Sequence, residues 1–210
     1  MPILVLPTTP LFETAEFRLI TNSLAHTSPL NKTTQTIKLL GAHWIIEAVL
    51  PRSSRAEVAA WMALLTELDG MAGRVFIGDP LGKTPRGTAK DTPGTPLVNG
   101  ASQTGSTLII DGAPFNETGW LLADDYVHVD LPSGGRSLHK ITTDVNTDGA
   151  GNATLPIRPA LRESPADDQA VAVSNTSCVM RLLDDDQARW QERGRMYEIA
   201  FTAIESFNTG

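Results

Sequence analysis

His43-Trp-Ile-Ile-Glu-Ala-Val-Leu50 decides how the chain must fold. Successive side chains of a strand point to opposite faces. Trp44, Ile46, Ala48 and Leu50 therefore share one face, and His43, Ile45, Glu47 and Val49 share the other. The second face is still largely apolar, so the strand is expected to be covered on both sides, by a helix, a second sheet or a neighbouring subunit. Immediately upstream, Thr36-Ile-Lys-Leu-Leu40 and the pair Gly41-Ala42 predict a hairpin whose second arm is 43–50. Further back, Phe17-Arg-Leu-Ile-Thr-Asn-Ser-Leu24 alternates well enough to be another strand.

Downstream of the strand lies the clearest helix signal in the chain. Ser54-Arg-Ala-Glu57 has the spacing of a capping box, in which serine caps the first turn and glutamate reaches back. Val58, Trp61, Met62, Leu65 and Leu68 then recur at helical spacing, and Gly70 ends the pattern. The Trp61–Met62 stripe reads as core packing rather than a cofactor contact. Arg74-Val-Phe-Ile77 is a short strand after it.

From about Asp79 to Gly119 the chain is dense in Gly, Pro, Thr and Asn. Within it and beyond it run short apolar segments punctuated by turn dipeptides: Pro96-Leu-Val98 into Asn99-Gly100, Thr107-Leu-Ile-Ile110 into Asp111-Gly112, then Asp125–Val129, Ser137–Ile141, Ala153–Ile157 and Ala170–Val173. Many short strands with regular turns predict a small barrel or sandwich. Cys178–Leu183 and Met196–Ile204 then return to the first pattern, with Tyr197, Ile199, Phe201 and Ala203 on one face of the last strand. The expected fold class is mainly β with one helix (α+β). Residues 1–89 plus 174–210 form the body around helix 54–69, and 90–173 form an inserted β-rich module.

Charge and cysteine usage exclude several classes. A formal net charge of -7 disfavours a general nucleic-acid binder, which needs a basic surface to neutralise phosphates. One cysteine, Cys178, permits neither an internal disulfide nor a thiolate zinc cage. No segment reaches the roughly 18 apolar residues of a membrane span. Met1-Pro-Ile-Leu-Val-Leu-Pro7 lacks the basic lead-in and cleavage pattern of a signal peptide, so no membrane insertion is expected.

Each chemical motif has a plainer explanation. Gly78-Asp-Pro-Leu-Gly-Lys-Thr84 resembles a phosphate-binding loop, but only three residues separate its glycines and Pro85 follows where a helix must begin. Asp144-Val-Asn-Thr-Asp-Gly149 matches half of a calcium loop, yet its twelfth position is Leu155 instead of glutamate. It reads as a hairpin loop. His26, His43, His128 and His139 show no helical metal spacing, although His128 and His139 could face each other across neighbouring strands. Asp184-Asp-Asp186 reads as a solvated acidic turn, because catalytic carboxylates need a defined separation across a cleft. Arg158, Arg162, Arg181, Arg189, Arg193 and Arg195 alternate with acids as mixed surface or interface charge. No catalytic residue, metal site or cofactor is expected, and the chain does not read as an enzyme.

A series of signals spans nearly the whole chain. Thr21-Asn-Ser, Ser28-Pro-Leu-Asn31-Lys-Thr-Thr-Gln35 and Gly41-Ala-His-Trp44 come first, then Ala59-Ala-Trp61 and Phe76-Ile-Gly-Asp-Pro80. Thr84-Pro-Arg-Gly87, Val98-Asn-Gly100, Gln103-Thr-Gly105, Gly119-Trp120 and Asp148-Gly-Ala-Gly-Asn-Ala-Thr154 follow. In this order they resemble the distal tail (tail-tip, or baseplate) proteins of long-tailed siphophages and related prophages. The resemblance implies a virion structural protein, made in the host cytoplasm and located at the tail tip. Its β-sandwich body would form a homo-oligomeric ring, commonly a hexamer, joining the tail tube to the hub and fibre proteins, with DNA only passing through the lumen. The inserted small β-barrel or sandwich would face outward. Ring-interface candidates are Ile45, Val49, Tyr197 and Phe201. If the chain is instead a carbohydrate- or receptor-binding module of the tip, Trp120 and Tyr126 are the candidate glycan contacts.

Overall fold

The computed structural model describes residues 2–187 and 190–207, so Met1 and Arg189 lie outside the described residues. The chain is mainly β, with one α-helix among those residues. Ahead of the Gly- and Pro-rich middle come β1 (Leu4–Val5), β2 (Thr14–Ile20), β3 (Ser23–Thr27), β4 (Thr34–Lys38), β5 (His43–Val49), α1 (Arg55–Glu67) and β6 (Val75–Ile77). The middle contributes β7 (Leu97–Val98), β8 (Gly105–Asp111), β9 (Tyr126–Asp130), β10 (Arg136–Ile141), β11 (Ala153–Leu161) and β12 (Val171–Ala172). The last elements are β13 (Cys178–Leu182), β14 (Trp190–Arg193) and β15 (Met196–Glu205).

Strands from the two ends of the sequence build one sheet, in the order β1-β6-β13-β15-β5-β2, with β14 also paired to β15. Its inner face carries Trp44, Ile46, Ala48, Met180, Leu182, Ile199 and Phe201 against α1. The helix turns Val58, Trp61, Leu64 and Leu65 inward, where Trp61 meets Phe12 at 5.3 Å and Phe201 at 5.9 Å between ring centroids. At its start the Glu57 carboxylate accepts hydrogen bonds from both the N–H and the hydroxyl of Ser54, each 2.8 Å. Those contacts hold the Glu57 carboxyl below its usual range. Ser54→Ala is expected to cost about 1 kcal/mol, measured by urea unfolding with an unchanged m-value.

The middle strands form a second sheet, β12-β9-β10-β11-β8-β7. A bridge from Leu97 to Ala170, with Val98 N–H bonded to the Gln169 carbonyl, brings its two edges together into a nearly closed, barrel-like sheet. β11 shows the half-buried alternation of such a wall, with Ala153, Leu155, Ile157, Pro159 and Leu161 turned inward. Leu108, Ile110, Trp120, Val127, Ile141 and Leu155 fill a core separate from that of the first sheet.

The predicted hairpin between 36–40 and 43–50 does not form. β5 pairs with β2 and β15, while β4 pairs with β3. The register runs from Ile20 opposite His43 to Ser23 opposite Lys38, so residues 39–42 face only residues 21–22. Gly41-Ala42 lies in a bulged joint, not a turn. The joint is held by Leu39 N–H on the Asn22 carbonyl and by Asn22 Nδ2 on the Leu40 carbonyl. Past this joint β3 and β4 leave the sheet as a two-stranded arm, turned at Ser28–Thr33.

Candidate functional site

β9 and β10 press the barrel onto the first sheet, and Trp44 is the hub of that junction. Its ring stacks on Phe17 at 5.0 Å and meets the edge of Tyr126 at 5.7 Å. Its indole N–H donates to the Leu138 carbonyl at 2.9 Å. Tyr126 and Leu138 come from the barrel sequence but pack into the core under α1. Tyr126 O–H donates to Asp79 at 3.0 Å, and burial, then the Asp79 charge, raises the phenol well above its ordinary range. Arg136 sits over the Phe76 ring at 4.3 Å and donates to Ser177 Oγ at 3.0 Å.

Glu205 ends β15 in the same junction and accepts the Trp44 backbone N–H at 2.9 Å. Burial raises its carboxyl to about 7, opposed by that N–H and by Arg162. The Arg162 guanidinium lies 3.3 Å from the centre of the Phe207 ring. This carboxylate, the one strongly shifted acid described here, faces a packed joint instead of a cleft.

The histidines are structural. His139 is fully buried, and its Nδ1–H donates to the Pro159 carbonyl at 2.8 Å while Nε2 accepts from Ser137 Oγ at 2.8 Å. His128 Nδ1 accepts the Ser177 N–H at 3.3 Å. Burial pushes both rings down to about 4. They do not face each other: His128 stands opposite Leu138 and His139 opposite Val127, so their side chains leave opposite faces of the sheet.

Most residues expected at interfaces are already occupied. Phe201 is 4% exposed and packs on Phe12 at 6.1 Å and on Trp61, because its parity in β15 points it under the helix. Ile45 does lie on the opposite face from Trp44, but it is 7% exposed within the single chain, so it offers little surface to a ring neighbour. Val49 and Tyr197 are half-buried, and Tyr197 packs against the core while bridging Ser53. Trp120 and Tyr126 are not available to a glycan. Trp120 is fully buried with its indole N–H on the Thr92 carbonyl, and Tyr126 is 3% exposed in the junction. Aromatics in a loop-rich stretch look accessible in sequence; here Trp120 is enclosed in the barrel core and Tyr126 in the junction between the sheets.

The look-alike motifs also resolve into packing. No α-helix follows Gly78–Thr84, only a single 3-10 turn at Thr88–Lys90; a Cβ at Gly78 would collide with the Thr176 carbonyl and one at Gly82 with the Tyr126 ring. Asp148 folds its carboxylate back onto the N–H groups of Ala150 and Asn152, both at 2.8 Å, and onto the Asn152 amide. These bonds depress its carboxyl and leave a self-satisfied loop. Asp185 accepts the Met71 N–H at 3.0 Å, tying the acidic turn to the end of α1. Among the described residues no three of His, Cys, Asp and Glu gather to hold a metal ion. The lone thiol, Cys178, is fully buried, which raises it well above its ordinary value.

What remains unpartnered is the arm. Every residue of β3 and β4 is exposed on both faces, including Leu24 (58%) and Ile37 (57%). Leu30 at the tip is 95% exposed and Leu40 at the root 79%. Sequence reading missed it; the available signal was Ser28-Pro-Leu-Asn31 as a turn between the alternating segments 23–27 and 34–38. An apolar groove of about 490 Å³ also opens between the 5–12 segment and the loop 76–83, with Leu11 and Leu81 at its rim. A scan against protein-family models gives no match, and a comparison with curated proteins finds none either.

Proposed function

We propose that this chain is a non-enzymatic structural subunit of a long-tailed phage, a distal tail protein whose copies form a ring joining the tail tube to the hub and fibres. In this reading residues 1–89 plus 174–210 are a sandwich-type, ring-forming body. Residues 90–173 are a small barrel inserted in it and carried on the outside of the ring. The order of sequence signals from Thr21 to Thr154 supplies the family.

The observation that carries the reading is the arm at 21–42. A lone two-stranded ribbon is marginal in water, and this one presents Leu24 and Ile37, paired on one face, to solvent while the other face is exposed as well. Such an element suits a protein that completes its packing in an assembly. The net charge of -7 suits a ring whose lumen repels passing DNA. A glycan- or receptor-binding reading has no help from Trp120 or Tyr126; the exposed aromatic of the barrel is Phe115, at 70%.

Gold-labelled antibody raised against the chain tests the placement directly. It is expected to decorate one end of the tails of long-tailed particles released from cells that make it. Particles free of the chain, or label along the whole tail, would contradict the assignment.

A further inference from the structure

The arm has a counterpart on the same molecule, at the opposite end of the first sheet. Strand pairing fixes the two ends. Ile20, His43, Cys178 and Glu205 lie at the arm end, and Thr14, Val49 and Met196 at the far end, with Leu182 on the row of Ala203 and Ile46 between them. The loop entering β6 at Val75, in register with Met180 and Glu205, and the turn leaving β13 at Leu182, in register with Ala203, both leave their strands in the direction of the far end. There Asp185 bonds Met71 N–H and lies against Gly70, so 69–71 and 183–186 make one corner.

The two ends complement each other in charge and in apolar surface. Residues 20–42 contain Lys32 and Lys38 and no acid, so all 24 acidic residues of the chain lie elsewhere. The far corner presents Asp69, Asp184, Asp185 and Asp186, all exposed, around the exposed apolar side chains of Met71 (39%) and Leu183 (40%). The nearby Arg74 turns its guanidinium inward to the carbonyls of Met71, Ala72 and Gly73. Among the described residues, Arg52, which pairs with Glu198 at 3.5 Å, Arg55, and Arg193 and Arg195 on the β14–β15 ribbon are also exposed cations on this side of the sheet.

We infer that the arm of one copy docks on the acidic corner of the next copy, with Lys32 and Lys38 against Asp184 and Asp186 and the arm leucines over Met71 and Leu183. Donor and acceptor surfaces differ, so the contact is head-to-tail: it closes into a ring if the rotation between copies allows and runs on as a filament if not. The inference deepens the ring reading and rests on it for closure alone.

Light scattering on the full chain over a concentration series, with circular dichroism as the folding control, tests it. Lys32→Glu/Lys38→Glu and Asp184→Lys/Asp186→Lys each place like charges across the contact, and each is expected to weaken association about 100-fold. All four changes in one chain restore opposite charges and are expected to restore assembly to within about 10-fold of wild type. Leu30→Ser/Ile37→Ser tests the apolar part, with no loss of fold because both side chains are exposed. Rings that persist with either reversed surface would overturn the inference and leave the ring reading standing. Open, arm-dependent chains without closed rings would sink the ring and support the contact. A wild-type chain that stays monomeric throughout the series would overturn the contact itself.

Discussion

Trp44→Ala is expected to destabilise the protein by about 3–5 kcal/mol, the cost of emptying a large aromatic site in a core. The loss should be at the upper end, because the change does more than open a cavity. Trp44 is 2% exposed, stacks on Phe17, meets Tyr126 and donates to the Leu138 carbonyl. Removing it takes away both a ring contact and a hydrogen bond between the sheet of the chain ends and the barrel of the middle. The barrel keeps its own core of Leu108, Ile110, Trp120 and Leu155. Thermal unfolding is therefore expected to follow one transition in the wild type and to split into two in the variant. Trp44→Phe retains the ring stack and loses the N–H bond, which costs about 1–3 kcal/mol because the buried Leu138 carbonyl loses its donor. A loss below about 1 kcal/mol for Trp44→Ala would show that the junction does not depend on this residue.

Glu205→Gln is expected to stabilise the protein at pH 8 by about 3 kcal/mol and to steepen its loss of stability in acid. The folded Glu205 carboxyl sits near 7 instead of its ordinary 4.5. A raised acid holds a proton that the unfolded chain releases, so its folded state is favoured below about 4.5 and loses that advantage as pH rises to 7. His128 and His139, lowered from 6.5 to about 4, act in the opposite sense. Their stability is fully present above 6.5 and is lost as pH falls towards 4. Between pH 8 and 5 the histidines together remove about 4 kcal/mol and Glu205 returns about 2–3, for a net loss of about 1–2. Glutamine can still accept the Trp44 N–H but cannot titrate, so the variant should lose the full 4 or so. Urea midpoints at pH 8 and pH 5 measure both curves; parallel curves would refute the coupling.

Much of the local structure was legible in the sequence, and the misses share a cause. Ser54–Glu57 marks the start of α1 because a capping box is a short-range contact. The parity of β5 and β15 was also readable: Trp44 and Ile46, Ile199 and Ala203 point to the core as their alternation requires. The partners of those strands were not. Gly41-Ala42 has the composition of a turn, yet the strand that pairs with β4 begins at Ser23, and no local pattern distinguishes a bulged joint from a hairpin. Burial across long separations was hidden for the same reason. Glu205 meets Trp44 across 161 positions, and Trp120 reaches Thr92 through a loop. The arm was obscured because 17–24 read as one strand and 36–40 as the partner of 43–50, whereas the chain breaks at 21–22 and pairs 23–27 with 34–38.

Self-assembly into a ring is read most directly from the mass of the purified chain in solution together with negative-stain images of the same sample. The account predicts a closed ring of about six subunits around an open centre, with the barrel on its outside. A strict monomer at high concentration, or a compact particle without a lumen, would contradict it.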